Sequence, residues 1–258
     1  MKITETIDEY KLKKRETINI MPIGDLHIGS KHSNHDFIKY AIRSLKKRKG
    51  DKRIYLMGDL VEVASKKVGD SVFKSKEMNV NEQVETLLKV LKPVKSHIKS
   101  IVIGNHEKRV ADDYNFNITQ FIAEQMNINL YGFQTIDSFK INNQSFSIHS
   151  YHGKGASKYL YTAYSKVIRE TYHIDADMFL YGHLHQLGHY QKTVLTPNGP
   201  KKKHYVLTGH FLDYDGSYAE AANMEYRPES FMILTINGEM RVDSIFFYSD
   251  ERSWCNNK

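Results

Sequence analysis

The chain has 258 residues, is 40% hydrophobic and 26% charged, and carries a formal net charge of +7. These values suit a soluble globular protein with a sizeable core and favour anionic partners. A single cysteine, Cys255, excludes a disulfide within the chain and any metal site built on thiolates.

Taken in chain order, Met1 to Arg15 is polar, with no apolar stretch of the kind a secretory signal needs. No run approaches the roughly 20 apolar residues of a membrane span. A cytoplasmic protein without membrane contact is therefore expected. Ile18 to Met21 reads as a strand running toward Asp25 and His27. His35 to Lys47 has Phe37, Ile38, Ala41, Ile42 and Leu45 at helical spacing. Arg53 to Met57 is a second strand, leading to Asp59. The run Lys46 to Lys49, with Lys52 and Arg53, precedes that strand and reads as a solvated helix end, where cations suit the helix dipole.

Val80 to Val94 repeats the helical pattern, and Ile101 to Ile103 is a third strand, leading to Asn105. A helix over Tyr114 to Met126, a strand over Ser145 to Ile148, a helix over Gly155 to Tyr172 and a strand over Met178 to Tyr181 follow. Strand periodicity places Asp25 with His27, and His183 with His185, on one side of their strands. Beyond His185, four strand-like runs and the turn at Thr196–Pro200 predict antiparallel strands over 187–250. The alternation of strands and helices predicts an α/β fold in a single domain over 1–258, with a motif core over 18–186.

Five motifs fall where apolar runs stop: Gly24-Asp25-Leu26-His27, Gly58-Asp59, Gly104-Asn105-His106-Glu107, His152-Gly153 and Gly182-His183-Leu184-His185. Ligands in open α/β sheets bind beyond the carboxyl ends of the strands. A mixed set of imidazole, carboxylate and amide ligands suits Mn, Fe or Zn better than calcium.

The ordered set resembles the calcineurin-like metallophosphoesterase superfamily, from Asp25 to His185. The resemblance implies a four-layer α/β/β/α metallophosphoesterase sandwich holding two divalent metal ions, with Mn expected first. It implies that Asp25, His27 and His185 hold one ion, that Asn105, His152 and His183 hold the other, and that Asp59 bridges them. His106 is then the catalytic residue, stabilising charge on the phosphate or protonating the leaving oxygen. His152 is preferred to His149 because Gly153 follows it. Arg109, Lys66, Lys67 and His210 are candidate substrate contacts.

The Asp-Leu-His-Ile-Gly opening is similar to that of DNA-repair exonuclease members. Leu60-Val61-Glu62 follows Asp59, so the arginine of the Ser/Thr protein phosphatases is missing there. The expected activity is hydrolysis of phosphodiester bonds in a nucleic acid or nucleotide, DNA or RNA included. The alternatives are a phosphomonoesterase and a nucleic-acid-binding subunit with a vestigial metal site.

Overall fold

The computed structural model describes residues 1–4, 7–63, 78–197, 199–217, 220, 223 and 225–250. Two short strands, β1 (Lys2–Ile3) and β2 (Asp8–Tyr10), open the chain. β3 (Thr17–Ile23), β4 (Asp51–Leu56), β5 (Ile98–Val102) and β6 (Leu130–Gly132) follow and pair in parallel. β7 (Gln134–Ile141) and β8 (Gln144–Tyr151) form an antiparallel pair, and β9 (Met178–Tyr181) lies parallel to β8. β10 (Leu187–Thr196) and β11 (Gly199–Thr208) form a hairpin, as do β12 (Ser230–Asn237) and β13 (Val242–Tyr248).

These strands make two sheets. One runs β13-β12-β3-β4-β5-β6; the other runs β1-β7-β8-β9-β11-β10, with β2 also paired to β7. The strand leading to His152 lies inside the second sheet, between β7 and β9. The C-terminal strands pair antiparallel as two hairpins that divide between the sheets; β12 also runs antiparallel to β3, while β11 lies parallel to β9. Sequence alternation cannot tell which sheet a half-buried strand joins.

Helix α1 (His35–Lys47) has the bounds its periodicity predicts. The Asn34 side chain accepts from the Phe37 N–H at 3.0 Å and caps its start, and Lys46 and Lys47 suit its C-terminal dipole. Helix α2 (Val80–Leu91) opens on a capping box between Asn79 and Glu82 and passes into a 3-10 turn over Lys92–His97. The single helix expected over Tyr114 to Met126 is instead the end of α3 (Asn105–Tyr114) and then α4 (Ile118–Gln125), because Asn115 leaves α3 in the left-handed conformation. α5 (Leu160–Thr171) starts later than Gly155.

Three apolar clusters fill the spaces. Phe37, Leu45, Val84, Leu87 and Ile122 from the helices pack on Ile23, Ile54 and Ile101 of the first sheet. Ile18, Ile20, Tyr55, Ile148, Leu180 and Val206 meet between the sheets. Ala163 and Val167 of α5 cover Phe179, Tyr205 and Leu207 of the second. The layers are therefore α/β/β/α, as the resemblance implies.

Arg53 departs from the solvated reading of the basic run, being only 1% exposed. Its guanidinium bonds to Asp137 and Asp8 and to the Tyr10 and Tyr55 hydroxyls. A charge so placed is tolerated because every face of it meets a partner. The cluster ties β2 to both sheets at the end of β4 away from Asp59.

Candidate metal centre

The strands stop short of the ligands. β3 ends at Ile23 and β4 at Leu56, and the ligands lie in the turns beyond. Asp25, His27, Asp59, His183 and His185 all have positive φ, between 46° and 64°. This corrects the alternation argument: left-handed turns, not strand pleating, aim these side chains. The conformation costs a non-glycine residue about 1–2 kcal/mol, and such strain persists only where surrounding bonds hold it. They do so here. The Asp25 and His27 N–H groups donate to the Gly58 and Asp59 carbonyls at 3.0 Å each, and the His183 N–H donates to Asp25 Oδ2 at 3.0 Å. The His106 N–H donates to Asp59 Oδ1 at 2.9 Å.

Asn105 stands at the first turn of α3, capped by Gly104. A Cβ on Gly104 would lie 2.1 Å from the Asp59 nitrogen, so only glycine lets the helix start approach the Asp59 turn this closely.

The ligand atoms converge. Atoms of Asp25, His27 and His185 lie within 4.8 Å of one another, and so do those of Asp59, His152 and His183. A third trio, His27, Asp59 and His106, meets the same limit, so distance alone also leaves His106 at ligand range. His152 Nε2 is 3.2 Å from Asp59 Oδ2, and His185 Nε2 is 3.3 Å from Asp25 Oδ1. His149 lies elsewhere, buried, with its ring near Phe179 and Nε2 bonded to Gln134; burial lowers it to about 4.

The donor set fits cations on local evidence. Asp25 Oδ1 and His27 Nε2 are buried without a hydrogen-bond partner. His152 Nδ1 faces the Met57 carbonyl at 2.7 Å, which assigns its proton there and leaves Nε2 a lone pair. That Nε2 meets Asn105 Oδ1 at 3.0 Å. The same inward amide position lies 2.8 Å from His183 Nδ1 and 2.9 Å from Asp59 Oδ2. Acceptor therefore faces acceptor. Either the amide turns its nitrogen inward or a cation sits among the lone pairs, and the second also satisfies Asp25 and His27. Native proteins rarely leave such atoms unpaired.

Charge tells the same story. Burial alone would lower His27, yet its bond to Glu62 and the Asp59 and Asp25 carboxylates raise it to about 9. Burial likewise opposes the charged form of His152, but Asp59 raises it to about 10. The pocket calls for positive charge, which protons or metal ions supply in competition.

Two residues were given no role by the sequence reading. Glu62 Oε2 accepts from His27 Nδ1 at 2.9 Å, and the Glu62 carbonyl accepts from His106 Nδ1 at 2.7 Å. It orients both rings, as carboxylates behind metal-binding histidines do. Its spacing after Asp59 gave no signal. Glu107 is buried and accepts four backbone N–H groups: Asp59 at 3.0 Å, Leu60 at 2.7 Å, Val61 at 3.3 Å and Gly104 at 3.1 Å. Its place three residues after the cap was a readable capping-box signal. Burial and the Asp59 charge push its carboxyl up to about 7.

Glu107→Ala should cost on the order of 3 kcal/mol or more, since each stranded donor costs ~1–3 kcal/mol. Urea denaturation in chelator measures it. A loss under 1 kcal/mol would mean that water replaces the carboxylate.

Of the candidate substrate contacts, Arg109 reaches 3.1 Å from the Asn105 amide. His210 is buried and stacks on His185 with centroids 5.0 Å apart. Lys66 and Lys67 lie outside the described residues.

Two sheets flanked by helices, with the motif residues in the turns beyond the strand ends, make the α/β/β/α sandwich that the resemblance to the calcineurin-like metallophosphoesterases implies. The chain is similar in structure to Vacuolar Protein Sorting 29 from Cryptosporidium parvum, at 19% identity, 91% of this chain, 100% of that chain and a TM-score of 0.44. It is also similar to the sulfate thiohydrolase SoxB of Thermus thermophilus, at 8% identity over 93% of this chain and 58% of that chain, with a TM-score of 0.46. For the nuclease MPE of Pseudomonas putida the values are 13%, 88%, 87% and 0.34. No protein-family model and no curated protein matches the sequence. No described helix is long and apolar enough to cross a membrane.

Proposed function

We propose that this protein is a dinuclear metal-dependent phosphoesterase acting on phosphodiester bonds of a nucleic acid or nucleotide. The observation that supports it most is the convergence of Asp25, His27 and His185, and of Asp59, His152 and His183, with Asp25 Oδ1 and His27 Nε2 buried without a hydrogen-bond partner. Asp25, His27 and His185 would hold one cation, Asn105, His152 and His183 the other, and Asp59 both. Manganese suits this nitrogen and oxygen set, with iron or zinc as substitutes. Two such ions, when bound, activate water and clamp the phosphate oxygens.

The chain's own groups do the rest. Glu62 and the Met57 carbonyl hold His27 and His152 in the tautomers that free Nε2. Glu107 fixes the Asp59 turn against α3. His106 stands at the edge of the ligand cluster, where it stabilises charge or protonates the leaving oxygen. Arg109 supplies a cation beside Asn105.

Three features favour a diester: the net charge of +7, the basic residues Lys108, Arg109, Lys154 and Lys158 after motif residues, and the absent phosphatase arginine. With Mn²⁺ present, bis-p-nitrophenyl phosphate should be hydrolysed faster than p-nitrophenyl phosphate, and chelation should abolish both. Lys66→Glu with Lys67→Glu should reduce oligonucleotide cleavage more than cleavage of the small diester. A faster monoester reaction, untouched by the reversals, would replace this reading with a phosphomonoesterase. Undiminished hydrolysis by metal-free protein would remove the two-metal reading.

A further inference from the structure

We infer that the cavity beside His185 is a nucleobase subsite, which holds the base of a nucleotide whose phosphate lies among the metal ligands. The inference rests on the phosphodiesterase reading and narrows it.

The cavity has a volume of about 280 Å³ and is lined by His185, Lys158, Tyr159, Tyr226 and Arg227, among others. That is slightly below the ~300–1,000 Å³ of pockets that take whole small molecules. It suits one planar ring system rather than a length of chain. Tyr159 and Tyr226 come from distant parts of the sequence, yet both line this space, and they are 60% and 55% exposed. Neither ring is consumed by the core. Tyr159 stacks on Tyr161 with centroids 5.7 Å apart and planes 13° apart, which holds its ring and leaves its other face for a ligand. Tyr226 meets Tyr214 edge to face at 5.3 Å. Rings placed this way offer π-faces to a base, and stacking of that kind accepts any base.

The walls are held in place before any ligand arrives. Arg227 donates from Nη1 to the Leu184 carbonyl at 3.1 Å and from Nη2 to the Lys158 carbonyl at 2.9 Å. Gln186 Nε2 donates to the Ser157 carbonyl at 2.9 Å. These bonds join the loop carrying Lys158 and Tyr159 to the turn carrying His183 and His185. Arg227 is thereby a positioning residue, and the offset between the Tyr159 ring and the metal ligands is built in. Lys158 supplies a cation for an adjoining phosphate.

The test compares two esters with the same leaving group on the Mn²⁺-loaded protein. They are the p-nitrophenyl ester of thymidine 5′-monophosphate and methyl p-nitrophenyl phosphate. The parent should prefer the thymidine ester in kcat/KM. Tyr226→Ala and Tyr159→Ala should each cut that preference, by roughly 5- to 100-fold for the loss of one stacking face. Tyr226→Phe and Tyr159→Phe should keep it. A second readout is equilibrium binding of thymidine 5′-monophosphate against inorganic phosphate. The parent should bind the nucleotide more tightly, and the double alanine variant should lose the difference. A parent without preference, or a preference unchanged in both alanine variants, overturns the subsite. A parent that cleaves neither ester defeats the diesterase reading instead, and the nucleotide-against-phosphate affinity then decides the subsite alone.

Discussion

Asp59→Asn should give a folded protein that retains neither metal ion and turns over at least about 10³-fold more slowly, a loss within the range for removing an essential catalytic group. Asp59 Oδ2 lies 3.2 Å from His152 Nε2 and 3.9 Å from both His27 Nε2 and His106 Nε2, so one oxygen serves both halves of the cluster. Its other oxygen accepts the His106 N–H at 2.9 Å. Asparagine keeps that second bond. Its amide nitrogen then faces His152 Nε2, which accepts when the His152 proton sits on Nδ1 against the Met57 carbonyl. The metal-free variant should therefore melt no lower than the metal-free parent, while the metal-loaded parent melts higher than either, because ligands that bind only the native state stabilise it. Metal content by mass spectrometry, with melts in chelator and in Mn²⁺, separates the two effects. An Asp59→Asn protein with two ions per chain would end the bridging assignment.

Much of the site was legible because its chemistry is local in sequence. Asp25, His27, Asp59, Asn105, His152, His183 and His185 each stand at the stop of an apolar run, and the structure brings their side chains together. The His152 preference rested on the following glycine; His152 lies with Asp59 and His183, whereas the His149 ring packs beside Phe179. The residues that escaped act at long range or through the backbone. Glu62 matters because a turn swings it against His27, and Glu107 because four N–H groups from two segments collect on it. Tyr226 shares a cavity with Tyr159 only once the chain has crossed from α5 to the approach of β12. The sheet assignment was hidden for a related reason. β3 and β8 present similar apolar runs, and only pairing partners distant in sequence distinguish their sheets. Arg53 was misread because its charge looked continuous with the lysines before it, whereas strand β4 carries it between the layers.

His106→Ala should separate chemistry from metal binding. His106 Nδ1 faces the Glu62 carbonyl at 2.7 Å, so Nε2 is the atom left for the reaction. Burial and the neighbouring His27 charge hold the ring below the ordinary imidazole range. With Nδ1 engaged by the Glu62 carbonyl, a proton delivered to the leaving oxygen would first have to be taken up at Nε2. The ring also lies within ligand range of Asp59 and His27, so its part as an acid must be told from a part in coordination. Removing a general acid typically costs about 10²–10⁴-fold. The loss should shrink as the leaving group improves, since p-nitrophenolate departs without a proton and an alkoxide does not. Metal content should stay at the parent's value. A variant that loses one ion would make His106 a ligand. An equal loss of rate for good and poor leaving groups, with both ions retained, would assign it to charge stabilisation on the phosphate. A slope of rate loss against leaving-group pKa, measured on a series of aryl and alkyl diesters, decides between donor and electrostatic roles.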